Sequence, residues 1–284
     1  MMVIFLAVIS AVLYGWSDYM GGRATRHMSV LRVTLYVEFL MTISYVALVV
    51  FDPAPFAFRD VMWGAIAGIG GVGGVAAFYL ALSMGAISVA SPVAGVLSAV
   101  VPVIVGIALG ERPGVIAMLG ILLALSSVVL VSGALSSRRA EVTMPRRQVA
   151  LVIVSGVLFG LWYVALDMAG SESGWWTLLG SRALTVPALI IAAFVLRDRL
   201  KADRASSSGN RWTLGAWATI LIANLAYLVA VRSGLLSIVA VIASMYPAST
   251  IGLAILLDRE RLSKTQWLGV GVAGCALVLV GVGA

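Results

Sequence analysis

The chain has 284 residues and a formal net charge of +7; 62% of its residues are hydrophobic and 11% are charged. Soluble domains are about 45–50% apolar and about 25% charged, so a soluble globule could not cover itself with this composition. The composition therefore argues against a soluble enzyme, a nucleic-acid-binding domain and a secreted disulfide scaffold. A single cysteine, Cys275, excludes an internal disulfide. An all-α polytopic membrane protein is predicted.

Ten apolar segments follow one another along the chain, each long enough to cross about 30 Å of hydrocarbon as a helix. The first five are predicted at Val3–Tyr19, Val30–Val50, Val61–Leu82, Ile87–Leu109 and Val115–Gly133. The second five are predicted at Val149–Met168, Trp175–Leu196, Leu214–Val231, Leu235–Leu257 and Gln266–Val282. The N-terminal segment lacks a basic region and a cleavage site, so we expect it to remain as the first span.

The sequence contains an internal repeat at a spacing of about 145–150 residues. The hexapeptide Ser10–Gly15 returns as Ser155–Gly160, and the pair Glu111-Arg112 returns as Glu260-Arg261. Each copy holds five spans, and because five is odd the second copy must enter the membrane from the opposite side. The predicted architecture is two inverted five-helix repeats around a central cavity, an arrangement common in transporters. The predicted units are residues 1–135, a basic linker at 136–147 with the chemistry of a soluble loop, and residues 148–284.

Loop charges give an independent indication of topology. The odd-numbered connections hold fourteen Lys and Arg residues and the even-numbered connections hold three. The positive-inside rule then places the odd-numbered connections in the cytoplasm and both termini outside the cell membrane. The region 197–211 is the second segment with soluble-loop chemistry.

The opening motifs of both halves resemble those of a known family. They are Leu13-Tyr14-Gly15-Trp16 and Leu158-Phe159-Gly160-Leu161-Trp162, followed in the next span by Arg32 and Arg182. The run from Pro247 through Leu257–Leu262 to Trp267-Leu268-Gly269 resembles the family's most specific signature. The chain is thus similar to ten-span EamA-type members of the drug/metabolite transporter superfamily. The resemblance implies a basket-like carrier that exports amino acids, metabolites or drugs, with aromatic amino acid exporters as the nearest relatives. It also implies cytoplasmic termini. The loop charges predict termini outside the cell membrane, and we follow the loop charges.

Two ionisable side chains are predicted deep in the membrane, where charges are expensive and usually functional. Glu38 lies about eight residues into the second span, ~12 Å deep at the helical rise. Arg182 lies at a similar depth from the opposite face. One interpretation makes Glu38 the proton-coupling carboxylate and Arg182 the ligand for a substrate carboxylate. The other is a static pair, Glu38–Arg182 or Glu38–Arg32, that orients the helices.

Aromatic and amide side chains at inner positions of the spans are predicted to line the cavity. They are Tyr14, Trp16, Tyr79, Trp162, Tyr163, Asn224, Tyr227 and Tyr246. Apolar walls with few polar groups suit a flat amphipathic solute, although Trp and Tyr also favour membrane interfaces. Asp18 and Asp167 are interpreted as solvated helix ends. Four prolines are expected to interrupt or kink their helices: Pro92, Pro102, Pro187 and Pro247.

The sequence predicts no catalytic residue, no metal ligand and no cofactor. Residues 68–73 spell GxGxxG, but they lie in the middle of a span with no preceding strand, so they indicate close helix packing and not a dinucleotide loop. His27 has no partner at metal-ligand spacing.

The leading hypothesis is a secondary carrier that exports a small amphipathic solute by alternating access, with protons as the candidate coupling ion. A membrane-embedded enzyme or lipid flippase is the alternative, and it would require paired catalytic groups at one membrane face. A channel would require rings of like residues from several subunits. The expected partners are a small-molecule substrate and the lipid bilayer, without nucleic acid, and the chain is expected to be a monomer or a homodimer.

Overall fold

The computed structural model describes residues 2–83, 87–131, 145–170, 172–195, 207–258 and 263–283. Almost all of this part of the chain is helical. The helices are α1 (Met2–Thr25), α2 (Val30–Phe51), α3 (Phe58–Ser83), α4 (Ile87–Ala108), α5 (Val115–Val131), α6 (Arg146–Met168), α7 (Trp176–Gly180), α8 (Arg182–Val195), α9 (Ser207–Val231), α10 (Leu236–Ala243), α11 (Tyr246–Asp258) and α12 (Lys264–Gly283). Six helical segments of the described chain are long and apolar enough to cross a membrane. The predicted all-α membrane architecture is confirmed.

Two of the predicted spans are each divided into two helices. The seventh crossing consists of α7 and α8, which meet at Ser181, and the ninth consists of α10 and α11, which are separated by Ser244 and Met245. Pro247 explains the second break, because a proline ring clashes with the carbonyl four residues before it. That carbonyl belongs to Ala243, the last residue of α10. The interruption in the ninth crossing agrees with the expectation that Pro247 interrupts or kinks its helix, whereas no interruption was expected at Ser181.

The other prolines do not divide their helices, so the expectation of interruption fails for them. Pro92 and Pro102 lie inside α4, and Pro187 lies inside α8. The seventh crossing is instead locally irregular at Ser181: its backbone stays helical and its amide donates to the Thr177 carbonyl at 3.2 Å, while its hydroxyl donates to the carbonyl of Leu178 at 2.6 Å. Side chains that bond to the nearby backbone in this way compete with the helical ladder.

Two helices extend beyond their predicted ends. α1 continues from the predicted Tyr19 to Thr25, so Asp18 lies inside a helix and does not close it. α9 begins at Ser207, so residues 207–211 are helical although they were predicted to be a loop. Hydropathy marks where hydrocarbon ends, whereas a helix can continue into the polar interface.

Parts of the predicted organisation fall on residues outside the described ranges. In the predicted linker 136–147, α6 begins at Arg146 and residues 136–144 lie outside the described chain. Glu260 and Arg261 of the repeat also lie outside it, as do residues 197–206 of the predicted second loop.

Both chain ends lie on one face of the bundle, called the termini face from here on. The described residues of four connections lie there too: 52–57, 109–114, 169–170 with 172–175, and 232–235. Val3 lies against Gly234, and the Gly283 carbonyl oxygen is 3.3 Å from where a Cβ of Gly114 would be. α1 therefore runs away from the termini face.

The sixth helix runs in the opposite sense to the first. At the start of α6, on the far side of the bundle, the Gln148 side chain donates to the Ala81 carbonyl at the end of α3. Just beyond the end of α6, the amide of Gly170 donates to Asp60 at the start of α3, on the termini face. Because α1 and α6 open the two repeats, their opposed directions fit the predicted inverted repeat.

The first helix of each repeat packs against the third and fourth crossings of the other repeat. α1 contacts α9 and α11, and α6 contacts α3 and α4. A Cβ on Gly15 would lie 2.5 Å from the Tyr246 carbonyl oxygen, and one on Gly160 would lie 2.5 Å from Val101 Cβ. These repeat-related glycines allow the close approach that drives helix association in lipid. The two repeats are thus interlocked.

Glycines on α3 allow the same approach to the second repeat. A Cβ on Gly64 would collide with the carbonyl of Thr177, and one on Gly68 would collide with the carbonyl of Ser181. A Cβ on Gly70 would lie 2.7 Å from the carbonyl oxygen of Leu158 on α6. The interpretation of this glycine-rich run as a packing surface is confirmed.

Substitution of one α3 glycine tests this contact. Gly68→Val should destabilise the protein by about 1–3 kcal/mol, because the added side chain must displace the backbone at Ser181. Thermal unfolding of the detergent-solubilised protein measures the effect. Gly271→Val in α12 is the control, since no atom lies within 4 Å of a Cβ there. Equal melting temperatures for the two variants would contradict the close contact.

Candidate functional site

A buried ion pair joins the two repeats. Arg182 is the first residue of α8, directly after the break at Ser181, and its guanidinium donates to the carboxylate of Glu38 on α2. The Arg182 side chain is 7% exposed and that of Glu38 is 22% exposed. Two further nitrogens of Arg182 donate to the Ser181 hydroxyl at 3.1 and 3.0 Å. Removing one member of such a pair leaves a buried charge without compensation, which is strongly destabilising.

Tyr45 lies beneath the guanidinium. The Arg182 Cζ atom is 5.5 Å from the centroid of the Tyr45 ring, a distance that allows cation–π attraction. Tyr45 is fully buried. It follows Glu38 by seven residues on α2, or about two helical turns, so both side chains face α8.

Asn224 on α9 connects Tyr45 to the first helix. Its Nδ2 donates to the Tyr45 hydroxyl at 2.8 Å, and its Oδ1 accepts from the Tyr14 hydroxyl at 2.6 Å. Asn224 is 4% exposed, so both bonds form away from bulk water. A polar network therefore runs from Glu38 through Arg182, Tyr45 and Asn224 to Tyr14. It joins α2, α8, α9 and α1, which come from both repeats.

An aromatic pair lies beside this network. The rings of Tyr163 on α6 and Tyr227 on α9 are 4.7 Å apart between centroids and inclined by 38°. The Tyr227 hydroxyl donates to the Tyr163 carbonyl at 3.5 Å. Tyr227 is one helical turn after Asn224, so α9 presents both to the interface between the repeats. Trp162 packs its indole against Gly71 of α3.

Asp18 lies one helical turn after Tyr14 on α1. Its side chain is exposed. Tyr246 is half-buried at the start of α11. Asp18 is therefore not at a helix end, although its side chain is exposed as the sequence suggested.

An apolar cavity of about 300 Å³ lies apart from the polar network. It is bounded by α1, α10, α11 and α12, and its lining includes Val8, Trp16, Met245, Leu256 and Leu277. Trp16 is 39% exposed and lines this cavity, whereas Tyr14 points to Asn224 from another side of α1. Trp16 thus faces a different space from Tyr14, and its role in binding a solute stays a prediction.

The structure brings most of the other predicted site residues together. Glu38, Arg182, Asn224 and Tyr14 form one network, and Tyr163 and Tyr227 stack beside it. The side chain of Tyr79 lies outside the described part of the chain. Within the described residues, no group of three or more His, Cys, Asp or Glu side chains is arranged to hold a metal ion.

Sequence reasoning missed Tyr45 and Ser181. The sequence did contain a signal for Tyr45. It lies seven residues after Glu38, so both side chains share one face of the helix. Ser181 became identifiable only with the helix break, which no local pattern indicated.

Comparison with known proteins gives one family and one fold. The EamA-like transporter family matches residues 1–133 and again residues 146–282, once for each repeat. A crystal structure described only as that of a protein superposes with a TM-score of 0.77, covering 98% of this chain and 96% of its own, at 14% sequence identity. This likeness concerns the fold alone. No curated protein sequence matches the chain.

The contribution of Asn224 can be measured directly. Asn224→Leu keeps the side-chain size but removes both hydrogen bonds. The buried hydroxyl of Tyr45 loses its donor and that of Tyr14 loses its acceptor. The variant should therefore be destabilised by about 1–3 kcal/mol. Adding Tyr14→Phe and Tyr45→Phe should recover part of the loss, because the orphaned hydroxyls are then removed. Thermal unfolding of the single, double and triple variants in detergent checks this. Additive losses would contradict the network.

Proposed function

We propose a specific activity for this chain, which belongs to the EamA-like transporter family. It exports small amphipathic metabolites, amino acids or drugs as a secondary carrier. The family makes it a multi-pass membrane transporter with a small-molecule substrate. The finer proposal is alternating access, in which one repeat rocks against the other. Its principal support is the Glu38–Arg182 pair, which joins the two repeats at membrane depth.

The helix breaks support the same mechanism. Carriers built from inverted repeats often bind their solutes where crossings are divided, because freed backbone groups and helix ends are available there. Arg182 is the first residue after the break at Ser181, and Tyr246 is the first residue of α11 after the other break. The charged and aromatic candidates thus both lie next to broken helices.

The chemistry of the pair suggests how solute and proton exchange. In our proposal the carboxylate of a solute replaces Glu38 on the Arg182 guanidinium, which presents a planar fork suited to carboxylates. The amino group of that solute pairs with the Glu38 carboxylate, whereas a proton neutralises Glu38 when the solute is absent, so that solute and proton occupy the site alternately and cross in opposite directions. Tyr14, Tyr163 and Tyr227 would contact the apolar part of the solute. An aromatic amino acid has both features.

Transport assays with two variants test this proposal. Purified protein in liposomes should accumulate an aromatic amino acid in response to an imposed pH gradient. Glu38→Gln should reduce this gradient-driven accumulation by about tenfold or more, because Gln cannot carry the proton. Arg182→Gln should raise KM for the carboxylate solute by a similar factor, through loss of a charge-assisted hydrogen bond.

Glu172→Gln is the matched control for these assays. Glu172 is exposed in the connection before α7, so its substitution removes a charge without touching the site. Failure of the unaltered protein to move amino acids, other small metabolites or cationic drugs down a gradient would refute the carrier. Unchanged gradient dependence in Glu38→Gln would refute its role in coupling.

The orientation follows from the loop charges and forms a separate proposal. With odd-numbered connections in the cytoplasm, the termini face and both chain ends would face outward. A reporter fused to the C-terminus that is active only in the cytoplasm should therefore be silent, and one active only outside should give a signal. The opposite pattern would contradict the charge count.

A further inference from the structure

Glu111 follows α4 in a turn that the backbone fixes. Gly110 has a φ of 99°, in the left-handed region that glycine adopts without strain. The amide of Glu111 donates to the carbonyl of Gly106 at 2.9 Å. Gly106 also leaves space for the carboxylate, since a Cβ there would lie 2.8 Å from Cδ of Glu111. The first repeat therefore presents this carboxylate in a defined position.

The Glu111 carboxylate caps a helix of the second repeat. One oxygen accepts from the amide of Leu236, and the other accepts from the amide of Ser237 at 3.0 Å. These are the first amides of α10, which have no partner within the helix. The helix dipole also favours a negative charge at this end, and charge-assisted hydrogen bonds are about twice as strong as neutral ones.

The capped helix leads from the termini face into the polar site. All the residues of α10 are buried, and it packs against α1, α4, α5 and α6. It ends at the break before α11, where Tyr246 contacts Gly15, the neighbour of Tyr14. A shift of α10 would therefore reach the network through this break.

Other contacts tie the repeats together on the same face. Asp60 of α3 accepts from the Gly170 amide at 2.8 Å. The Trp175 indole donates to Asp52 at 2.8 Å, and the Trp176 indole donates to the Ala54 carbonyl at 3.1 Å. These contacts hold the connection before α7 and the first residue of that short helix, whereas the Glu111 contact holds a buried half-helix.

We propose that Glu111 is a positioning residue for transport, a latch that keeps the termini face closed by holding α10 against the first repeat. Release of the carboxylate from the two amides frees α10 to move at its break, and the polar site then opens toward the termini face. The role in transport rests on the proposed function, but the latch itself is a property of the fold.

The latch can be tested by cysteine labelling without knowledge of the solute. Cys275→Ser removes the native thiol. Ser237→Cys then places a reporter at the capped end, where the serine is fully buried and its hydroxyl has no partner among the described residues. The reaction rate of this thiol with a maleimide, measured on the full-length protein in detergent, reports how often α10 is released.

Two variants weaken the latch in different ways. Glu111→Gln removes the charge, and Gly106→Ala displaces the carboxylate without changing any charge. Each should raise the labelling rate by about tenfold, the effect of losing one charge-assisted hydrogen bond. Glu172→Gln, which removes an exposed charge near the same face, should leave the rate unchanged. Should Glu111→Gln fail to fold, Gly106→Ala decides alone.

The outcomes separate the latch from the transport proposal. Unchanged labelling in the folded variants overturns the latch, even where the unaltered protein transports solute. Faster labelling in a protein that transports nothing supports the latch and removes the carrier function. In an active carrier, a positioning role predicts a changed turnover with little change in KM, whereas loss of a substrate ligand would raise KM.

Discussion

Close backbone approach between the two repeats is the constraint on which the rest of the molecule depends. In lipid there is no hydrophobic force between helices, so association depends on packing and on buried polar contacts. Glycines at equivalent places, Gly15 on α1 and Gly160 on α6, let each opening helix enter the other repeat. The glycines of α3 do the same for α6 and α7. A bulky residue at these positions would separate the surfaces that carry the site.

The polar network exists because of this interlocking. Glu38 and Tyr45 come from α2, Arg182 from α8, Asn224 from α9 and Tyr14 from α1. Neither repeat alone could compensate the charge of Arg182, and a lone guanidinium inside a membrane would be expensive. The network therefore stabilises the contact between the repeats. The same bonds would have to rearrange if the repeats moved, so stability and movement depend on the same groups.

The sequence was sufficient for the large features of the fold. Composition and segment length predicted the crossings, and the repeated Glu-Arg pair with an odd number of spans predicted the inversion. The sequence also offered Glu38–Arg182 as one of two pairings for Glu38. It could not predict the helix irregularity at Ser181, nor the capping of α10 by Glu111 from 125 residues away. Periodicity did not show that Trp16 and Tyr14 face different parts of the second repeat, Trp16 the apolar cavity and Tyr14 the side chain of Asn224.

The two halves are repeats of each other, but their helices are interrupted at different places. The second and fourth crossings of the first half, α2 and α4, are single helices, whereas their counterparts in the second half are divided at Ser181 and at Ser244–Met245. A continuous helix resists bending, whereas an interrupted helix bends where its backbone hydrogen bonds are missing. The clearest place for the second half to bend is the interruption between α10 and α11 at Ser244 and Met245. In the alternating access proposed above, the inward-open and outward-open forms would therefore differ in more than orientation, because the two halves do not bend at equivalent places.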